Sequence, residues 1–141
     1  MPFIDVKTDF AFKKVFGSAG SKDILLSFLN AVLDLTHPIV DLTIVNPYQI
    51  PLVEGLKENY VVDIRAKLEN GTSMIVEVQA YNQTDICEHT QSHLAMIYST
   101  VLRPRDKYTE HRPVIALTVT DFTLFTTEEL KSTVITYFKL F

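Results

Sequence analysis

The sequence predicts an α/β fold, a sheet flanked by helices, and three observations predict it. Apolar residues recur at helical spacing near the start of the chain, and a capping pattern at Asp85 opens a further helix that Pro104 closes. Between those stretches, Val62 to Gln79 alternates at strand spacing around Asn70-Gly71. Pro113 to Thr120 is a continuous β-branched run, the mark of a strand covered on both faces. At 141 residues and 47% hydrophobic, the chain can bury one core, so a single domain over 1–141 is expected.

The elements follow in order. Thr8 is placed to cap a first helix whose Phe10, Phe12, Val15 and Phe16 read as core. Gly20 or Ser21 opens a second helix with an apolar stripe of Ile24, Leu25, Phe28, Leu29, Val32 and Leu33, stopped by Pro38. Ile39 to Val45 reads as a strand, followed by a loop holding Pro47, Pro51 and Gly55. Asp85, with Glu88 three residues on, caps a long helix running to about Leu102, before Pro104. The segment Val134 to Phe141 reads as a last strand, paired within the sheet or with a second copy in a homodimer.

The stretch from Asp63 to Gln79 carries the chemistry. A two-residue Asn70-Gly71 loop would pair Leu68 with Ser73, setting one strand's apolar face beside the other's polar face. A three-residue loop, Glu69-Asn70-Gly71 with Gly71 left-handed, pairs Ala66 with Met74, Ile64 with Val76 and Val62 with Val78 instead. In that register Asp63 stands opposite Glu77, with Gln79 one diagonal step away. Like charges facing each other on a sheet are destabilising, so something must compensate them. Spacing alone leaves two candidates open: Arg65 as an ion-pair partner, or a hard cation held by both carboxylates.

Asp followed by Glu-x-Gln across a hairpin resembles the active-site signature of the PD-(D/E)XK nuclease superfamily. Four ordered segments narrow the resemblance to the recombination-promoting nuclease and transposase family: Lys7 to Gly17, Ser27 to Leu33, Ile75 to Gln79, and Lys107-Tyr108 with Arg112 to Leu117. Together they span the chain from about Asp5 to its last residue. The resemblance implies a restriction-endonuclease-like αβββαβ core, a central mixed sheet flanked by helices, with an extra helix at the N-terminal end. It implies a metal-dependent DNA endonuclease linked to recombination or a mobile element. Asp63 and Glu77 would bind Mg²⁺ together with the Val78 carbonyl, and Gln79 would complete the catalytic set. Family members generally continue past this length, so the chain is expected to be the N-terminal part of a longer protein.

Gln79 departs from the pattern, because the superfamily usually places Lys there. An amide supplies no positive charge, though it can orient a water molecule. Lys67 is one substitute for that charge, a solvated surface lysine the plainer reading. Asp9 belongs to no motif of its own, but superfamily members often place an acid on the first helix near the metal; it also suits a helix start. Lys13, Arg103, Arg105 and Lys107 are candidate contacts to a DNA backbone, which fix register without reading sequence. His89 and His93 have an i, i+4 spacing that can hold zinc, but without a HExxH glutamate or an evident third ligand they read as exposed or hydrogen-bonded. The family usually has an Arg-Ser-like pair where this chain has His89-Thr90.

Composition excludes other classes. Four glycines leave little room for phosphate-cradling loops, and no Ser-His-Asp arrangement has credible spacing. A lone Cys87 excludes an internal disulfide, and no apolar run approaches the length of a membrane span. With no signal-peptide pattern at the start, a cytoplasmic location is expected. The net charge of −4 argues against tight duplex binding by a broad basic surface. It leaves a catalytically inactive nucleic-acid-binding or protein-interaction module on the same fold as the alternative. A structural α/β domain with Arg65 neutralising Glu77 is the third reading. The discriminating geometry is whether the Asp63 and Glu77 carboxylates converge in an open cleft.

Overall fold

The protein is described by a computed structural model over residues 4–46, 62–82, 84–101, 112–130 and 132–138. Its elements are α1 (Asp9–Phe16), a 3-10 turn (Ala19–Ser21), α2 (Lys22–Val32), β1 (Leu42–Val45), β2 (Ile64–Leu68), β3 (Ser73–Gln79), α3 (Ile86–Val101) and β4 (Val114–Thr120). One sheet holds all four strands in the order β1-β2-β3-β4. Neighbours are antiparallel from β1 to β3 and parallel between β3 and β4. This is the expected mixed α/β architecture, with the extra N-terminal helix and α3 crossing over between the parallel strands.

The sheet separates two apolar layers. On one face α1 and α2 bring Phe12, Leu25 and Leu29 against Ile64, Ala66, Met74, Val76 and Val78. On the other, Met96 and Ile97 of α3 cover Ile75 and Val62. Alternation along β3 therefore sends Met74, Val76 and Val78 toward the first layer and Ile75 and Glu77 toward α3. The strand covered on both faces is β3, buried from Ser73 through Val78. β4, expected in that role from its β-branched run, is half-buried throughout and has only β3 as a described neighbour. Its apolar residues still serve both layers: Ile115, Leu117 and Val119 the first, Val114 and Ala116 the second.

Several local expectations change. Phe10 is 70% exposed, because α1 is short and turns only Ala11 and Phe12 fully inward. Thr8 precedes α1, but its hydroxyl donates to the Asp5 carbonyl at 2.8 Å and makes no side-chain cap. β1 begins at Leu42, not Ile39, because the Asn30 amide takes both backbone polar groups of Ile39 at 2.8 Å and leaves no need of a strand partner. Residues 134–138 form no strand. Tyr137 instead sets its hydroxyl at the end of α2, donating to the Val32 carbonyl at 3.3 Å and accepting from Asp34 N–H at 3.2 Å. A helix end supplies such orphan carbonyls. Pro47, Pro51, Gly55, Arg103, Arg105 and Lys107 lie outside the described residues.

The hairpin has the expected three-residue loop. Gly71 N–H donates to the Leu68 carbonyl and Leu68 N–H to the Thr72 carbonyl, both at 2.9 Å, and Gly71 has φ 84°. The register is Ile64 with Val76 and Ala66 with Met74. A side chain at Gly71 would be strained by its left-handed backbone and would also meet Arg112, whose guanidinium donates to the Asn70 carbonyl. Gly71→Ala is expected to cost about 1–2 kcal/mol, read as a lower urea midpoint at unchanged slope.

Candidate active site

The expected register holds from Ile64 onward and breaks at Asp63. That residue lies in a bend just before β2, and Val62 packs with Ile75, Met96 and Ile97 on the α3 side. Unbroken alternation would set Val62 on the face of Ile64, so the pattern reverses at Asp63. The consequence is that the Asp63 carboxylate meets α1. Its Oδ2 accepts the Val78 N–H at 2.7 Å, and its Oδ1 lies 3.1 Å from Lys13 Nζ. Lys13 also reaches Asp9, one turn earlier, at 2.9 Å. One ammonium thus bridges two carboxylates from different elements.

Burial raises the Asp63 pKa above the ordinary aspartate value; the Val78 N–H pulls the other way, the neighbouring Asp9 adds to the rise, and Lys13 opposes it. Asp9 is more exposed and is held below its ordinary value, chiefly by its bond to Lys13. Burial works against the Lys13 ammonium, yet its bonds to Asp9 and Asp63 prevail and raise its pKa. Two acids pushed apart around one cation is a pattern typical of functional sites. The site opens into a cleft of about 180 Å³ lined by Lys13, Val45, Asp63 and Arg65 among others.

Glu77 meets a different partner. It is 4% exposed, and its Oε1 lies 2.5 Å from Nδ1 of His93, itself 2% exposed. The ring of the exposed His89 stands 4.2 Å from that of His93. The side chains of Glu77, His89 and His93 place one ligand atom each within 4.8 Å of one another. The histidines do have a third potential ligand, one the helix sequence alone could not show because it comes from β3. The Asp63 and Glu77 carboxylates are therefore directed to opposite layers, while their backbones adjoin. The Val78 N–H that Asp63 accepts belongs to the peptide joining Glu77 to Val78.

The remaining candidates are placed as follows. A strand directs both polar groups of one residue to the same edge, so the Val78 carbonyl points with its N–H toward the Asp63 side. Gln79 ends β3 on the Glu77 face, and its carbonyl accepts Asp121 N–H at 3.1 Å. Lys67 is exposed at the turn end of β2, roughly 13 Å from Asp63 at about 3.3 Å per residue, so the structure does not bring these two together. Arg65 donates to Thr100 Oγ1 on α3 at 3.4 Å. Lys13, a candidate contact to phosphate or water, is held by Asp63; that ion pair spans distant sequence and left no local signal. His93 left one: Ile86, His93, Met96 and Ile97 share the buried stripe of α3.

Whether these donors suit a hard cation is a matter of their chemistry. Asp63, Asp9 and the Val78 carbonyl offer only oxygen, the ligand type Mg²⁺ prefers, at a place where a lysine ammonium already sits between the two acids. Glu77 is turned away from that set, buried in the α3 layer against His93, so the two carboxylates do not converge in the cleft as expected. The donors fit Mg²⁺ on the Asp63 side.

A four-stranded mixed sheet flanked by three helices, with acids at the adjoining ends of its central hairpin, is consistent with a restriction-endonuclease-like fold. A family comparison is more specific: residues 6–141 match the model of the PD-(D/E)XK nuclease family transposases, and the chain belongs to that family. Comparison with curated proteins and with solved structures gives no match. Among the described residues no helix is long and apolar enough to cross a membrane.

Proposed function

We propose that the protein is a Mg²⁺-dependent DNA endonuclease, acting in the cytoplasm in recombination or on a mobile element. One observation carries this: a partly buried Asp63 of raised pKa lies against the Glu77–Val78 peptide, in a cleft that also receives Lys13. By the family's pattern Asp63, Glu77 and the Val78 carbonyl would hold the cation, which requires Glu77 to leave His93 and the α3 layer. When bound, Mg²⁺ offsets charge on the scissile phosphate and lowers the pKa of the attacking water. Asp9 positions Lys13, and Lys13, released from Asp63, is within reach of a phosphate oxygen in the same cleft. Gln79, on the same face as Glu77, would orient the attacking water by its amide once Glu77 joins the cation, with no charge to contribute.

The test is cleavage of supercoiled plasmid with Mg²⁺ against the same reaction in excess chelator. Cleavage is expected only with the metal, and Glu77→Gln, which keeps a hydrogen-bonding partner for His93, is expected to lower it by ~100-fold or more. Metal-independent cleavage, or a Glu77→Gln variant as active as the parent, would sink the reading. A second reading has its own support: Glu77 is buried against His93, and Gln79 stands in place of the usual Lys. An inactive nucleic-acid-binding module on this fold would bind DNA in a gel shift and cleave none.

A further inference from the structure

We propose that Glu77, His89 and His93 form a site for a borderline transition-metal cation of the Zn²⁺ class on the α3 side of the sheet, where Glu77 serves that cation in place of the Mg²⁺ position around Asp63. The argument is geometric and holds whether or not the protein cleaves DNA. His89 and His93 are one helical turn apart on α3, so their imidazoles project side by side, with ring centroids 4.2 Å apart. Glu77 comes up from the central strand beneath them, its Oε1 already 2.5 Å from His93 Nδ1. The outermost of the three donor atoms are no more than 4.8 Å apart.

A four-coordinate Zn²⁺ with bonds of about 2.0–2.1 Å separates neighbouring donors by roughly 3.3 Å. The Glu77–His93 contact is shorter than that value, and the whole set spans no more than 4.8 Å. The hydrogen bond between Glu77 and His93 therefore gives way to a cation by side-chain shifts of about 1 Å.

Donor chemistry fixes the class of metal. Two imidazoles and one carboxylate suit Zn²⁺, Co²⁺ or Mn²⁺, whereas Mg²⁺ prefers oxygen and keeps its waters. Access is built in as well. Glu77 and His93 are buried, but His89 is exposed, leaving one side open for the cation to arrive and for solvent to complete its shell. Such a site joins the central strand to α3, the helix whose Met96 and Ile97 cover that face, so occupancy fixes α3 against the sheet.

The test is titration of the metal-free protein with Co²⁺, followed by its visible ligand-field absorption and by thermal unfolding. The parent is expected to develop the intense bands of a low-coordinate Co²⁺ complex, lose them on adding Zn²⁺, and unfold at higher temperature with either cation. His89→Ala removes an exposed helix residue, so it should fold normally while binding Co²⁺ at least ~10-fold more weakly. Asp63→Ala should bind as the parent does. The inference is overturned if the parent shows only the weak spectrum of hydrated Co²⁺, or if His89→Ala binds undiminished. It is equally overturned if the signal is lost with Asp63. None of these outcomes depends on Mg²⁺-driven plasmid cleavage, so the two readings fail separately.

Discussion

Replacing His93 with leucine should cost the fold about 3 kcal/mol, read as a shift of the urea midpoint. His93 is the partner of a carboxyl that is 4% exposed in the central strand. Leucine fills similar space beside Met96 and Ile97, so little of the loss comes from a cavity. What remains is the Glu77 carboxyl without that hydrogen bond, with the exposed His89 beside it. Net stability of a domain this size is roughly 5–15 kcal/mol, so the loss is a large share of the whole. The companion variant decides the cause. Glu77→Leu combined with His93→Leu removes both polar groups and should recover most of the stability, because a buried pair is often replaceable by apolar residues at little cost. If the double variant is as unstable as the sum of its parts, the pair is not what holds α3 to β3.

The sequence disclosed the fold because its signals are local. Alternation through Ile64 to Leu68 and Ser73 to Gln79 set the hairpin register, and a single glycine at 71 set the loop. A helical stripe located α2, and the capping pattern at Asp85 located the start of α3. Legibility ended where backbone polar groups found side-chain partners instead of strands: Asn30 on Ile39, and Tyr137 at the end of α2. The site shows the same boundary. Strand periodicity placed Asp63 opposite Glu77, but a bend at the strand end turns Asp63 toward Lys13 on α1. Glu77 follows the alternation faithfully, and so enters the α3 layer where His93 waits. Both partners come from helices separated from the hairpin by many residues or by a loop, and strand pattern carries no information about them.

The modest negative charge of the chain also takes on a local meaning. Lys13 lies between Asp9 and Asp63, Lys7 pairs with Asp121 at 2.6 Å, and Lys22 pairs with Asp41. Much of the basic charge near the N-terminal end is thus matched by acids within the fold. Exposed pairs of this kind add little stability, but they do lower the attraction for a polyanion until a phosphate or a metal competes for one member. On the proposed function, DNA engagement then depends on the cation at Asp63, and affinity without Mg²⁺ is weak.

Asp63→Asn is expected to abolish cleavage, by ~100-fold or more, while making the metal-free protein more stable at neutral pH. Asparagine still accepts the Val78 N–H, and Asp9 still holds Lys13. What disappears is the burial cost of a charge, the main cause of the raised Asp63 pKa. The sign follows from proton counting. Between about pH 4, the ordinary aspartate value, and its raised folded value, the folded chain binds more protons at Asp63 than the unfolded chain. Stability of the parent therefore falls as pH rises through that window, and the loss persists above it. Asparagine has no such loss, so the variant should be the more stable at pH 7 and no different below pH 4. Magnesium supplies the opposing arm. It should raise the melting temperature of the parent and leave Asp63→Asn unmoved, since only a chain that binds the cation is stabilised by it. A parent more stable than the variant in chelator at pH 7 would mean that Lys13 outweighs burial at Asp63. A Mg²⁺ response surviving in Asp63→Asn would place the cation elsewhere.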